Sequence, residues 1–170
     1  NTILHEILYY NALFCLNFII TKQVDLSLTN KDGNNPLHIA CLKGNYDIVH
    51  KIIKLGANII CKNNIGDTCT HCAVRSGSYN CVLIILNSGG ASTLIEKNNY
   101  GETPLHLSAS SKRKNIKIVQ LLLENGSTLH SFNKYNETIL KTLCKEPKTI
   151  AREEIRTYLQ RKYYDFYNTE

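Results

Sequence analysis

Residues able to hold a metal ion crowd one short stretch of the chain. DTCTHCAVRSG, positions 67–77, supplies Cys69, His71 and Cys72, and Cys81 follows inside the same fifteen-residue span. Thiolate and imidazole are the ligands zinc takes, so a metal centre is the first chemistry to weigh. Paired CxxC elements, the usual framework of a structural zinc site, are missing. Other chemistry is harder still to find. The glycines are isolated and form no phosphate-cradling loop, and the acidic residues are scattered. No nucleophile stands beside a histidine except at positions that recur along the chain. No catalytic residues, cofactor or small-molecule substrate are expected.

Composition narrows the class. The chain has 170 residues, of which 43% are hydrophobic and 20% charged, as in ordinary globular domains. The net charge of +6 suits an acidic partner without demanding nucleic acid. Seven cysteines, an odd number in a chain too long to need staples, favour free thiols in a reducing, cytoplasmic setting. No apolar run is long enough for a membrane span. The first residue is Asn, which suggests a trimmed chain. Heavy use of Asn, Lys and Ile hints at an AT-rich genome.

The elements that would position these side chains are repeats. NTILHEIL, GNNPLHIACLKGNYDIV, GDTCTHCAVRSGSYNCV and GETPLHLSA share a pattern, with His5, His38, His71 and His106 separated by 33, 33 and 35 residues. A fifth copy, NETILKTLC, places Lys141 a further 35 residues on. Each histidine opens a short helix of small and apolar residues. A turn and a second helix follow, with apolar residues at Ile48, Ile52, Ile53 and at Ile118, Leu121, Leu122. Gly56 and Gly126 stand where those helices should end in a left-handed residue, and Asn11 stands in for glycine at the first inter-helix turn. Such a pair buries its apolar face only against a neighbour, so stability comes from stacking.

With Gly33, Pro36, Leu37, His38, Ala40, Gly44, Gly56 and Ala57 in one copy and Gly101, Thr103, Pro104, Leu105, His106, Ala109 and Gly126 in another, the pattern resembles the ankyrin repeat. The resemblance extends from Thr2 to about Phe166. It implies a single all-α solenoid of helix-turn-helix units joined by β-hairpin loops, with repeats near 1–29, 30–62, 63–97, 98–132 and 133–167, the last a capping helix pair. It also answers the metal question for DTCTHCAVRSG. Cys69 takes the proline position, Thr70 the leucine, His71 the structural histidine, Cys72 an apolar position and Cys81 that of Ile48, so the cluster reads as core packing. The third repeat, lacking Pro and Leu, is expected to be the least stable internal one, or one adapted to a local contact.

Departures from the period mark places for adaptation. NSGGASTLIEKNN adds two residues, expected to lengthen a hairpin arm, and SASSKRKNIKIV lengthens an inter-helix turn that carries Lys112, Arg113 and Lys114. In the last repeat Pro147 marks the inter-helix turn. The following helix is expected to bury Ile150, Ile155, Tyr158, Leu159 and Phe166 and to expose Arg152, Glu153, Arg156 and Lys162. Its tyrosine-rich end exceeds what a cap needs.

The resemblance implies a non-catalytic module that binds another protein through its hairpin tips and its concave inner-helix face. The tip residues are Asp32, Ile65, Tyr100 and Tyr135, three of them apolar or aromatic. Asp67, Glu102 and Glu137 add an acidic ladder beside them, and Leu42, Lys43, Arg75 and Ser76 extend the surface. The basic turn at Lys112 and Arg113 offers a contact for an acidic partner. A viral or parasite modulator of host signalling, such as an inhibitor of Rel-type factors, is one specific form. A recruiting domain of a larger enzyme or ubiquitin-ligase adaptor is the alternative. Nucleic acid is not an expected partner, and nuclear targeting by the short basic run stays open.

Overall fold

The inner helices of the three middle repeats start on the same cap. In the computed structural model, which describes residues 3–10, 25–145 and 148–167, helix α2 (Pro36–Lys43) begins after Asn35. The Asn35 side chain accepts the His38 backbone N–H at 2.9 Å, while His38 Nδ1 takes the Asn35 backbone N–H at 3.3 Å. Thr68 and His71 form the same reciprocal cap for α4 (Cys69–Ser76), and Thr103 and His106 for α6 (Pro104–Ser110). Two of the amides that a helix start leaves without a partner are thereby satisfied. Pro36 and Pro104 occupy the first turn, where a missing N–H costs nothing. Cys69 occupies that place in α4, which starts without proline on the cap alone.

The outer helices α3 (Tyr46–Lys54), α5 (Tyr79–Asn87) and α7 (Ile116–Glu124) return antiparallel after turns of different length. They bury Ile48, Val49 and Ile52, then Cys81, Val82 and Ile85, then Ile118, Val119 and Leu122, in one register. That spacing draws one apolar stripe per helix, which the pair's own inner helix and the next pair cover. Helix α1 (Ile3–Tyr9) packs on α2, α2 on α4, α4 on α6, and α6 on α8 (Ile139–Lys145). The outer helices stack in the same order, with α9 (Ile150–Tyr167) against α7 and α8. Among the described residues there is no strand. One isolated antiparallel bridge, Lys62 with Thr68, marks the base of a hairpin loop. No helix among them is long and apolar enough to cross a membrane. Asn11 and Pro147 lie outside the described residues.

The two-residue insertion after α5 is not a longer hairpin arm. It forms a 3-10 helix, Gly90–Leu94, packed against α4, α5 and α6, with Thr93 and Leu94 buried. There it meets the anomaly of the third repeat. Thr70 is fully buried, and its hydroxyl shares a 2.6 Å hydrogen bond with the Thr93 hydroxyl, which donates to the Gly90 carbonyl at 2.6 Å. The polar atom that replaced a leucine is therefore satisfied by the inserted segment.

Helix α9 also departs from expectation. Arg152 is only 4% exposed: its Nε donates to the Leu143 carbonyl at 2.9 Å and an Nη to the Cys144 carbonyl at 3.3 Å. It covers acceptors that the end of α8 leaves open, and places positive charge at that helix's negative end. Ile150 and Phe166, assigned to the buried face by periodicity, are exposed, whereas Ile155 and Leu159 are buried as expected.

Candidate interaction surface along the loop tips

Between an outer helix and the next inner helix the chain makes a loop built round one asparagine. Asn30, Asn63, Asn98 and Asn133 each accept two backbone N–H groups on Oδ1, from the residues two and four positions on. Each also donates its backbone N–H to the carbonyl four residues on, at 2.9 to 3.0 Å. The glycine three places after each asparagine has positive φ, and Asn136 takes that conformation (φ 57°) in the last loop. At Gly101 a side chain is excluded twice over: φ is 71°, and a Cβ would fall 2.5 Å from the Lys134 backbone nitrogen.

Neighbouring loops are bonded to one another through the backbone. Asn64 N–H donates to Asp32 O at 3.0 Å, Asn99 N–H to Ile65 O at 2.9 Å, and Lys134 N–H to Tyr100 O at 3.0 Å. Side-chain amides reinforce the row: Asn63 Nδ2 donates to Asn34 Oδ1, and Asn98 Nδ2 to Asp67 Oδ1, both at 2.8 Å. Beneath the loops runs a line of histidines. Nε2 of His5, His38, His71 and His106 meets the carbonyl of Asn34, Asp67, Glu102 and Glu137 in the next repeat, at 2.9 to 3.2 Å. In the last three, Nδ1 accepts the cap N–H, so the proton sits on Nε2 of a neutral ring. Burial holds the His38, His71 and His106 imidazoles below the ordinary histidine range.

On this frame Ile65 (41%), Tyr100 (42%) and Tyr135 (63%) stand exposed in a row, with Asp32 exposed at its head. The Lys134 ammonium lies between the two tyrosines, 4.2 Å from the Tyr100 ring centre and 5.2 Å from that of Tyr135. The two aromatic tips thus share one cation.

Two of the three residues of the acidic ladder lie beneath the surface. Asp67 is 1% exposed and pairs with Arg75 Nε at 2.9 Å and with Asn98; Glu137 is 6% exposed and pairs with Lys145 Nζ at 2.5 Å. Glu102 is half-buried, within 3.4 Å of Asn98 Nδ2. These carboxylates lie between loop and helix, where a charge persists only with partners at hand. The Lys145 hydrogen bond holds the Glu137 carboxyl below the ordinary glutamate range.

On the concave side Leu42 and Lys43 are exposed, and the Lys43 ammonium lies 3.7 Å from the Tyr9 ring centre. Arg75 is half-buried by its bond to Asp67, and Ser76 is buried. Lys112 and Arg113 are exposed, but Arg113 is tethered: an Nη donates to the Ser76 carbonyl at 3.1 Å, and the side chain lies over Gly77. The loop asparagines and Lys134 escaped the sequence reading, although Asn three places before each turn residue was a visible recurrence.

The cysteines of DTCTHCAVRSG do not converge on His71. Cys69, Cys72 and Cys81 are all buried. Cys69 turns toward the preceding repeat, where its sulfur lies with Cys61 Sγ and a ring nitrogen of His38, all within 4.8 Å of one another.

Capped helix pairs, stacked in register and cross-linked through histidines and loop amides, define a repeat scaffold of the kind that presents a surface to other macromolecules. The chain belongs to the ankyrin-repeat family: the family model "Ankyrin repeats (3 copies)" matches residues 4–94 and 60–133. Over 96 residues it is 37% identical to the nuclear factor NF-kappa-B p110 subunit of Drosophila melanogaster, covering 51% of this chain and 10% of that protein. It is 29% identical over 93 residues to the putative E3 ubiquitin-protein ligase XBAT31 of Arabidopsis thaliana, covering 54% of this chain and 20% of that one. It is 36% identical over 64 residues to protein phosphatase 1 regulatory subunit 27 of Mus musculus, covering 38% of this chain and 42% of that one. The chain thus spans less than half the length of each. Ankyrin repeats are protein-interaction modules, typically without catalytic activity of their own.

Proposed function

We propose that this chain is a non-catalytic binding module that grips one partner protein along the loop tips, with Ile65, Tyr100 and Tyr135 as anchors. One observation carries the reading: three successive exposed tips are apolar or aromatic, on loops bonded to each other through the backbone. Large side chains on a preformed frame bind with little ordering cost, and aromatic anchors carry a disproportionate share of interface energy. Leu42 and Lys43 extend the contact on the concave side. Lys112 and the tethered Arg113 offer positive charge to an acidic region of the partner.

A regulator of host signalling, acting on Rel-type factors in the cytoplasm, is the specific form we favour. The likeness to an NF-kappa-B subunit over half of this chain supports it. A recruiting domain within a longer protein is the second reading. It is favoured by matches such as the ubiquitin ligase, of which the shared region is a small part.

Affinity capture from a cytosolic extract, comparing the wild-type chain with the combined variant Ile65→Ser, Tyr100→Ser, Tyr135→Ser, tests the tip assignment. With melting unchanged, the variant should lose the partner, at about 2 kcal/mol or more per anchor truncated. A partner retained by the folded variant would move the function to the concave face or the basic turn.

A further inference from the structure

We propose that Cys61, Cys69 and His38 bind a thiophilic divalent cation of the zinc type at the junction of the second and third repeats. The three already converge. The sulfurs of Cys61 and Cys69 and a ring nitrogen of His38 lie within 4.8 Å of one another, close to the ligand-to-ligand separations of a tetrahedral thiolate site. Two sulfurs and one nitrogen form a ligand set that suits zinc and excludes the hard cations, with water to take the fourth position.

Surroundings built for such a site are present on this repeat and not on its neighbours. The third and fourth repeats cap their inner helices with Thr68 and Thr103; the second uses Asn35, whose amide donates to Cys61 Sγ at 3.0 Å. An amide hydrogen bond to sulfur stabilises the thiolate that a metal requires, and a partner of this kind orients the ligand. Cys69 stands at the first residue of α4, where the helix terminus also favours negative charge. Cys61 is half-exposed and gives a cation access, whereas Cys69 is buried. His38 surrenders one of its backbone hydrogen bonds to ligate, a small loss beside a metal–ligand bond. Binding releases one proton from each of the two thiols to solvent.

The site would act on the surface above it. Cys61 and Cys69 are the next residues outward from the bridged pair Lys62 and Thr68, at the base of the loop that carries Ile65. A cation there would tie that loop to α2 of the preceding repeat.

Cobalt(II) titration of the reduced, full chain tests the proposal. One cobalt per chain is expected, with the thiolate charge-transfer absorption and ligand-field bands of tetrahedral coordination, displaced by zinc. Cys61→Ser should weaken binding by at least about tenfold, while Cys144→Ser, at an exposed cysteine elsewhere, should leave it unchanged. Wild-type chain adds a readout that needs no folded variant: zinc should shield Cys61 from alkylation. Absence of a thiolate band, equal binding without Cys61, or alkylation indifferent to zinc would overturn the site. So would a Cys61–Cys69 disulfide in freshly isolated protein, which would assign the pair to redox chemistry.

Discussion

Thr70 stands where the flanking repeats place Leu37 and Leu105, and it keeps its position only because Thr93 meets its hydroxyl. Replacing Thr93 by Val should leave two buried oxygens, those of Thr70 and Gly90, short of a partner. Urea unfolding should then show a loss of about 1–3 kcal/mol. The double change Thr70→Val, Thr93→Val removes the stranded hydroxyl as well and should recover part of that loss; no recovery would show that the pair is not coupled. The histidines make a second prediction at this scale. In the unfolded chain they protonate near pH 6.5, but His38, His71 and His106 are held lower when folded. The unfolded state therefore binds more protons as pH falls, so stability is full above about pH 6.5 and declines as pH drops through the folded values. Melting temperature measured from pH 7.5 to 5 should fall, and Asn or Gln at these positions should flatten the slope.

Among the elements, α8 and α9 hold together through one side chain. Arg152→Met keeps the buried stem but uncovers the Leu143 and Cys144 carbonyls, and should cost about 1–3 kcal/mol. Hydrogen exchange should locate the loss in the last helix pair, with earlier repeats unaffected. This arginine shows where sequence reading stops. The caps, the left-handed glycines and the outer-helix stripes follow from local rules with fixed periods, so Pro36, Gly56 and Ile118 announced their roles. Arg152 and Asp67 looked like surface charges because their partners, Leu143, Arg75 and Asn98, come from other elements. The inserted 3-10 helix was likewise visible only as two surplus residues, since the helices it packs against are other segments. Cys61 and His38 were not read as a pair for the same reason: they converge across a repeat boundary, whereas a motif search runs along the chain.

For the whole molecule, the stacked order means that damage should stay close to where it is made. Asp67→Ala removes the acceptor shared by Arg75 and Asn98 and so loosens the third and fourth repeats together. A loss of about 1–3 kcal/mol is expected, because the buried Asn98 amide loses its acceptor, while the half-exposed Arg75 turns to water. Exchange rates near α1 should hardly change, and a uniform rise would contradict a nearest-neighbour stack. The backbone bonds that join successive loops have one more consequence. None of them uses the side chains at positions 32, 65, 100 and 135, so those four places can be rewritten without disturbing the scaffold. The positions are not equally independent, however. Ile65 should behave as a separate letter, its substitution adding simply to any other, whereas Tyr100 and Tyr135 share Lys134 and should be read by a partner as a single two-letter word.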